Sequence, residues 1–423
     1  MFSYINMPIP TLGLTGLESD LSEEESAIQD AAHRIAVEVM RPIGEKLDKM
    51  TPEEVIAPKS PLWVFTEKIH ASGILDLETM MGLTNEQKAR IVPIIFEELG
   101  WGDSGLALFA LVASFPAFAA MGTGDPDLIE QFGSKIGCWV ATQPNRGSDV
   151  ADLDTDEIYP GSVQSKPNLV ATIDGDEVVL SGQSSAWVSA APVAQTALVY
   201  VSCDYGEGIY NDEGGHHQIA MLVSLEDPGV SKGKPLDKIG QRPLPQGEVF
   251  FDDVRVPMKN VLAKGDEAVG SFFGALTFGN MEMAFTFTGV ARAAFDHALA
   301  YVHERNQGGT EIINHQSVRT RVFDLWQRLE ASRALAHRVA QYNYSSNGPH
   351  LLASITSKTF VTRNAFEIAS EALQLFGGNG LSKEYPIEKL MRDARAAMIE
   401  DGENNILNLK GASWLSKWYV ENH

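Results

Sequence analysis

The stretch ALQLFGGNGLSKEYPIEKLMRDARAAMIEDGENN, residues 372–405, decides the fold. A Gly-Gly-Asn-Gly turn separates two helical runs, a basic pair, Arg392 and Arg395, follows, and an acid-dense turn, Glu400-Asp401-Gly402-Glu403, closes it. The glycines let the backbone approach a large anionic ligand. The acidic turn sets a carboxylate where a helix gives way. Just upstream, Val361, Ala365, Ile368, Ala369, Ala372, Leu375 and Phe376 form one wide apolar stripe at helical spacing. With the apolar-periodic runs 272–304 and 318–344, that stripe predicts a C-terminal four-helix bundle over residues 258–423.

Two other regions differ in period. Residues 22–132 read as helical, within an N-terminal helical domain over 1–136. Ser22 and Glu25 form a capping box, and the first helix is expected to stop near Pro42. A later helix is expected to end at a Gly100 C-cap, and residues 107–121 are apolar enough to be buried on all sides. Residues 137–257 alternate as strands around turn signals such as Asp174-Gly175-Asp176, which predicts an antiparallel β-barrel or sandwich. The fold class is therefore α+β, mainly α.

With 423 residues and a net charge of −23, the chain has room for two or three domains and repels nucleic acid and anionic membranes. Pro8 and Pro10 interrupt an N-terminus that lacks a signal-peptide pattern, and no run of 18 apolar residues predicts a membrane span. Two cysteines, Cys138 and Cys203, fit a reducing cytoplasm. His216-His217 lies in a Gly- and acid-rich turn and reads as solvent-facing rather than metal-binding, and Lys232 and Lys234 read as a solvated loop.

Four motifs carry chemistry. Thr142-Gln143-Pro144-Asn145-Arg146-Gly147-Ser148-Asp149 runs a strand into a turn that exposes amides and hydroxyls. Trp187 and Ser189 share one face of a strand. Arg305 at a helix end suits a pyrophosphate, with His315 and Gln316 beyond it. Gln374, Gly377 and Gly378 precede the RDAR helix, in which Glu388 and Arg392 are spaced to stabilise that helix.

Taken together, these motifs resemble the acyl-CoA dehydrogenase family of flavoenzymes, from about residue 137 to 405; the match before that is loose. The resemblance implies FAD as cofactor and an acyl-CoA thioester as substrate, with no metal. Electrons would pass to an electron-transfer flavoprotein or another acceptor, in a homo-oligomer (dimer or tetramer) whose subunits share cofactor contacts. It implies that Thr142, Trp187 and Ser189 hold the flavin ring and that Ser148 touches phosphate or ligand. Arg305, Gln316, Gln374, Gly377 and Gly378 would hold the rest of the FAD. Gln143 stands where the family has Glu, and Gly308-Gly309 where Phe-Gly is usual.

The family's base is a glutamate in the turn after the RDAR helix; the resemblance implies that Asp401 takes that position, with Glu400 and Gly402 beside substrate. Some members place the base on an earlier bundle helix, which makes Glu282 the fallback. Asp is one C–C bond shorter, about 1.5 Å. A misplacement of about 1 Å costs on the order of 100-fold, so either the substrate or the backbone sits differently, or Asp401 is not the base. An Asp at this position also resembles the family's branch that acts on cyclic acyl-CoA thioesters, which implies an unusual acyl group. Glu400 and Glu403 are expected to raise the pKa of Asp401. A nitroalkane oxidase-like flavin oxidase, a lyase on the same scaffold and a non-catalytic flavin-bearing partner remain alternatives.

Overall fold

The computed structural model describes residues 14–17, 20–152, 166–210 and 215–423. The prolines of the opening segment, Pro8 and Pro10, lie outside them.

Helix α1 (Glu23–Ile35) begins with the expected capping box: the Glu25 amide donates to Ser22 Oγ at 3.1 Å and the Ser22 amide to Glu25 Oε2 at 2.8 Å. It does not stop at Pro42. A π-turn (Ala36–Met40) leads directly into α2 (Arg41–Asp48), and Pro42, which cannot donate a backbone hydrogen bond, sits just after that widened turn. After α3 (Pro52–Val55), α4 (Pro61–Ser72) and α5 (Leu77–Gly82) comes the long α6 (Asn85–Gly102). Gly100 is not its cap; Asp103 is. Gly100 serves a crossing instead. A Cβ there would lie 1.9 Å from the carbonyl oxygen of Thr286, and a Cβ on Gly289 would lie 2.0 Å from that of Glu97. The apolar run 107–121 is likewise not one buried helix. It is split into α7 (Ser104–Ala113) and α8 (Phe115–Thr123), only half of the apolar window is buried, and Phe118 faces outward. Taken together, Ser104–Thr123 is long and apolar enough to cross a membrane by length and composition alone, a test that the buried core helix of a globular protein also passes. Helix α9 (Pro126–Phe132) ends this region.

The strands are β1 (Gly137–Val140), β2 (Leu169–Asp174), β3 (Glu177–Gln183), β4 (Val188–Ser189), β5 (Thr196–Asp204), β6 (Gln218–Ser224), β7 (Val230–Lys232), β8 (Gln246–Gly247), β9 (Val249–Pro257) and β10 (Val261–Lys264). Eight of them form one sheet in the order β10-β6-β5-β2-β3-β9-β7, with β1 added beside β5. The β2–β3 hairpin turns at Gly175, φ 60°, as its Asp-Gly-Asp signal demands. The sheet is mixed, not purely antiparallel: β5 pairs in parallel with both β1 and β2. Alternation within a strand carries no information about its neighbour's direction. Cys138 and Cys203 are free thiols buried in β1 and β5.

The C-terminal region holds α10 (Gly265–Glu304), a hairpin of β11 (Asn306–Gln307) and β12 (Thr310–Glu311), then α11 (Gln316–Asn343), α12 (Leu351–Phe376), α13 (Ile387–Ala397) and α14 (Asn404–Asn422). Helices α10, α11 and α12 pack on one another, α13 and α14 pack on α12, and α6 runs along α10. Where α6 crosses, Arg292 and Arg333 are buried with Glu97 and Glu98: Arg333 Nη2 donates to Glu97 Oε1 at 2.9 Å and Arg292 Nη1 donates to Glu98 Oε1 at 2.9 Å. Although burial opposes it, the paired guanidiniums hold the Glu97 carboxyl down at about 2. Losing one partner of such a cluster is costly because the other charge stays buried. Replacing Gly289 with valine should drive a side chain into the α6 backbone and destabilise the fold by about 1–3 kcal/mol or more, read as a lower melting temperature. An unchanged melting curve would contradict the described crossing.

Candidate functional site

Three elements hold the acidic turn that follows α13. Lys358 on α12 is fully buried, and its Nζ donates to the carbonyl of Gly402 at 2.6 Å and to Asn404 Oδ1 at 2.9 Å. Asn280 on α10 donates from Nδ2 to the carbonyl of Asp401 at 3.0 Å. Ser148, opening the short 3-10 turn Ser148–Asp152 after β1, accepts from the Glu403 amide at 3.0 Å. The turn itself is left-handed, with φ 50° at Asp401 and 93° at Gly402. Aspartate tolerates that region better than most residues, and Gly402 is required, since a Cβ would fall 2.7 Å from Leu407 Cδ2.

Held this way, the Asp401 side chain is half-buried, with Oδ2 only 3.9 Å from where a Gly279 Cβ would stand. Among the described residues its carboxylate has no hydrogen-bond or ion-pair partner. Burial raises its pKa, and the Lys358 ammonium opposes the rise. Glu400 and Glu403 are not the cause that sequence reasoning expected. Glu403 is turned away, capping α14 through the Asn405 amide at 2.9 Å. Glu400 is itself pushed up to about 7 by burial, with Lys238 and a 2.7 Å hydrogen bond from Gln241 Nε2 pulling the other way. Glu400 and Gly402 are thus engaged as tethers of the turn. One helical turn along α10, burial and then the field of Asp401 push Glu282 up to about 8. The structure therefore brings together both candidate bases, Asp401 and Glu282.

The β region supplies a flat platform. Trp187 is 62% exposed, unusual for so large an apolar ring; it lies in the turn before β4 rather than on a strand as expected, because the strand is only Val188–Ser189. Gln246 on β8 fixes this edge, donating from Nε2 to Ser189 Oγ at 3.0 Å and to the Trp187 carbonyl at 3.2 Å. Lys238 Nζ in turn donates to Gln246 Oε1 at 2.7 Å, linking the platform to the neighbourhood of Glu400. Thr142 and Ser185 share a 2.7 Å hydroxyl–hydroxyl hydrogen bond. Gln143 has a structural post: its Oε1 accepts from the amides of Asn168 and Leu169 at 2.6 and 2.9 Å, capping the start of β2.

Arg305, Gln316, Gln374, Gly377 and Gly378 are all exposed, and most gather at the far end of the bundle. There the rings of Tyr301 and Phe376 stack at 4.0 Å, bringing the end of α10 against the end of α12. Gly308 and Gly309 form the two-residue turn of the β11–β12 hairpin with φ 69° and 87°, a conformation that disfavours a bulky aromatic residue there. His315 Nε2 lies 3.0 Å from the Gln307 carbonyl. His216 corrects the solvent-facing expectation: it is buried, its Nδ1 2.9 Å from Ser202 Oγ and 3.0 Å from Arg146 Nη1. No group of metal-binding side chains occurs among the described residues.

Sequence reasoning missed Lys358, Gln241, Lys238, Gln246 and Asn280. Only Lys358 carried a signal, as a lysine three residues from both Ile355 and Val361 and so in line with the apolar stripe of its helix. The RDAR helix does more than stabilise itself. Arg392 pairs with Glu388 as expected, and its Nη1 and Nη2 also clamp Asp48 at 3.0 and 2.7 Å. Lys389 is buried between Asp103 and Asp393 at 2.6 and 2.5 Å.

Comparison with known proteins accords with this geometry. Residues 138–254 match the family model of the acyl-CoA dehydrogenase middle domain, and residues 270–415 match that of the acyl-CoA dehydrogenase C-terminal domain. The chain is 31% identical to a probable acyl-CoA dehydrogenase of Bacillus subtilis over 285 residues, 67% of this chain and 70% of that protein. It is 28% identical to the cyclohexane-1-carbonyl-CoA dehydrogenase of Geobacter metallireducens over 337 residues, 78% of this chain and 82% of that one. The solved butyryl-CoA dehydrogenase of Megasphaera elsdenii shares the fold with a TM-score of 0.78 at 23% identity, covering 94% of this chain and all of that one. The chain belongs to the acyl-CoA dehydrogenase family, FAD-dependent oxidoreductases that act on CH–CH bonds.

Proposed function

We propose that this enzyme desaturates an acyl-CoA thioester at Cα–Cβ, with Asp401 as the base. The observation that carries this is an unpaired, desolvated carboxylate, Asp401, fixed over Gly279 by Lys358 and Asn280. A general base needs to be unengaged before substrate arrives, with a pKa raised from that of a free carboxylate. Glu282 is a poorer base. It has the field of Asp401 against it and no cation to offset burial, so at neutral pH it keeps its proton. Asp401 starts from a lower pKa and has Lys358 nearby, so it ionises first. The left-handed turn aims the short side chain at α10, which offsets the missing methylene.

FAD, when bound, supplies the hydride acceptor. The open Trp187 ring and the hydroxyls of Thr142 and Ser189 suit a flat heteroaromatic ring with polar edges. Ser148 keeps its hydroxyl hydrogen free to donate to ligand or phosphate. Arg305, Gln316, Gln374, Gly377 and Gly378 belong to a second copy's cofactor. From Gly279, beside Asp401, to Arg305 is 26 residues of helix, about 39 Å at 1.5 Å per residue, beyond an extended dinucleotide. A homo-oligomer sharing FAD between subunits reconciles the two sets. An electron-transfer flavoprotein would suit as acceptor, and the cyclohexane-1-carbonyl-CoA dehydrogenase relative supports a ring in the acyl group.

Anaerobic mixing with a panel of acyl-CoA thioesters should bleach the flavin, and Asp401→Asn should slow bleaching by about 100- to 10,000-fold. Bleaching by nitroalkanes alone would support an oxidase instead, and thioester consumption without bleaching a lyase. Arg305→Ala should weaken FAD retention, read as a lower flavin-to-protein ratio after gel filtration; an unchanged ratio counts against the shared-cofactor reading. Glu282 also marks stability. Its folded value of about 8 is raised above 4.5, so its contribution is intact below pH 4.5 and lost as pH rises through 8. Glu282→Gln should therefore melt with wild type at pH 4 and above it at pH 9. Equal melting at both pH values would place Glu282 in solvent.

A further inference from the structure

The chemistry above leaves Glu282 unused, and its surroundings are unlike those of other buried acids. Glu97, Asp103 and Asp48 all end on a guanidinium or ammonium. The Glu282 carboxyl has neither a cation nor a hydrogen-bond partner among the described residues; the charge acting on it is that of Asp401. Tyr344, at the C-terminal end of α11, lies within the field of Glu282, and its hydroxyl likewise has no hydrogen-bond partner among the described residues. The ring of Phe278, next to Gly279 on α10, packs 6.1 Å from that of Tyr344, which places the end of α11 beside this stretch of α10.

Helix α10 relates this pair to the reacting carbons. Gly279 faces Asp401 Oδ2, and Glu282, three residues on, lies on the same face about 4.5 Å further along the axis. If Asp401 marks Cα, Glu282 and Tyr344 stand beside the acyl tail. A plain alkyl chain would press methylenes against both polar tips and leave them unsatisfied, an arrangement proteins avoid.

We infer that Glu282 and Tyr344 form a specificity subsite that donates hydrogen bonds to a neutral oxygen acceptor, typically a ketone, on the acyl group beyond the carbons that react. This rests on the dehydrogenase reading and deepens it. Because burial and Asp401 push Glu282 up to about 8, it still has a hydrogen to donate at neutral pH. A carboxylate on the acyl tail is disfavoured. Asp401, Glu282 and Glu400 already crowd the region, Lys358 is committed to Gly402 and Asn404, and Lys238 to Leu244 and Gln246.

The test uses the FAD-loaded enzyme at neutral pH and compares anaerobic bleaching by hexanoyl- and octanoyl-CoA with that by derivatives bearing a ketone at C4, C5 or C6, and by adipoyl-CoA. At least one ketone should outpace its alkyl parent by about tenfold, the worth of one good hydrogen bond, and adipoyl-CoA should lag behind both. Glu282→Leu and Tyr344→Phe should erase that preference, and Glu282→Gln, which still donates, should keep it, with flavin content intact and melting no lower than wild type in each. Alkyl parents that match or beat every ketone overturn the inference, as does a preference that survives Glu282→Leu. Bleaching by the alkyl parents with no ketone preference sinks this subsite alone, whereas bleaching by no thioester sinks the dehydrogenase reading and the subsite with it.

Discussion

One ammonium holds the acidic turn of the candidate site together. Lys358 is sealed inside the bundle, where burial pushes it down to about 8 and the acids of the turn pull it back up. Its hydrogen bonds to Gly402 and Asn404 fix a left-handed turn that would otherwise have little reason to persist between α13 and α14. Removing one partner of a buried, charge-assisted hydrogen bond strands the other, at about 1–3 kcal/mol or more. The same charge sets the electrostatics. Without Lys358, Asp401 would have only burial acting on it and would hold its proton more tightly.

The rest of the molecule positions what meets this turn. Helix α10 carries Gly279, Asn280 and Glu282 to it, and α10 is located by its crossing with α6 at Gly100 and Gly289 and by the Glu97–Arg333 cluster beside that crossing. The β region reaches the turn through Ser148 and presents Trp187 and Ser189 on an edge braced by Gln246 and Lys238. Gln241 binds both Asp393 of the RDAR helix and Glu400 of the turn, so β region and bundle are fastened on each side of the carboxylate.

Much of this was legible because it is local. The capping box at Ser22, the Asp-Gly-Asp hairpin and the apolar stripe of α12 each depend on residues within a few positions of one another. The block from Gln374 to Asp401 was legible as a motif, and the structure seats Asp401 as a half-buried, unpaired carboxylate. What stayed hidden depends on contacts distant in sequence. Gly100 read as a cap because a glycine at a helix end and one at a helix crossing look alike until the partner helix is known. Parallel pairing of β5 and the partners of His216 were beyond reach for the same reason. The acids next to Asp401 in sequence were credited with its raised pKa, whereas burial between helices does that work.

The central claim is that Asp401 removes a proton from carbon. Exchange of the Cα hydrogen of a bound acyl-CoA thioester in deuterated buffer reports that step apart from hydride transfer. Wild type and Glu282→Gln should both wash deuterium into Cα, and Asp401→Asn should not. Exchange that persists in Asp401→Asn and vanishes in Glu282→Gln would contradict the account and move the base to α10.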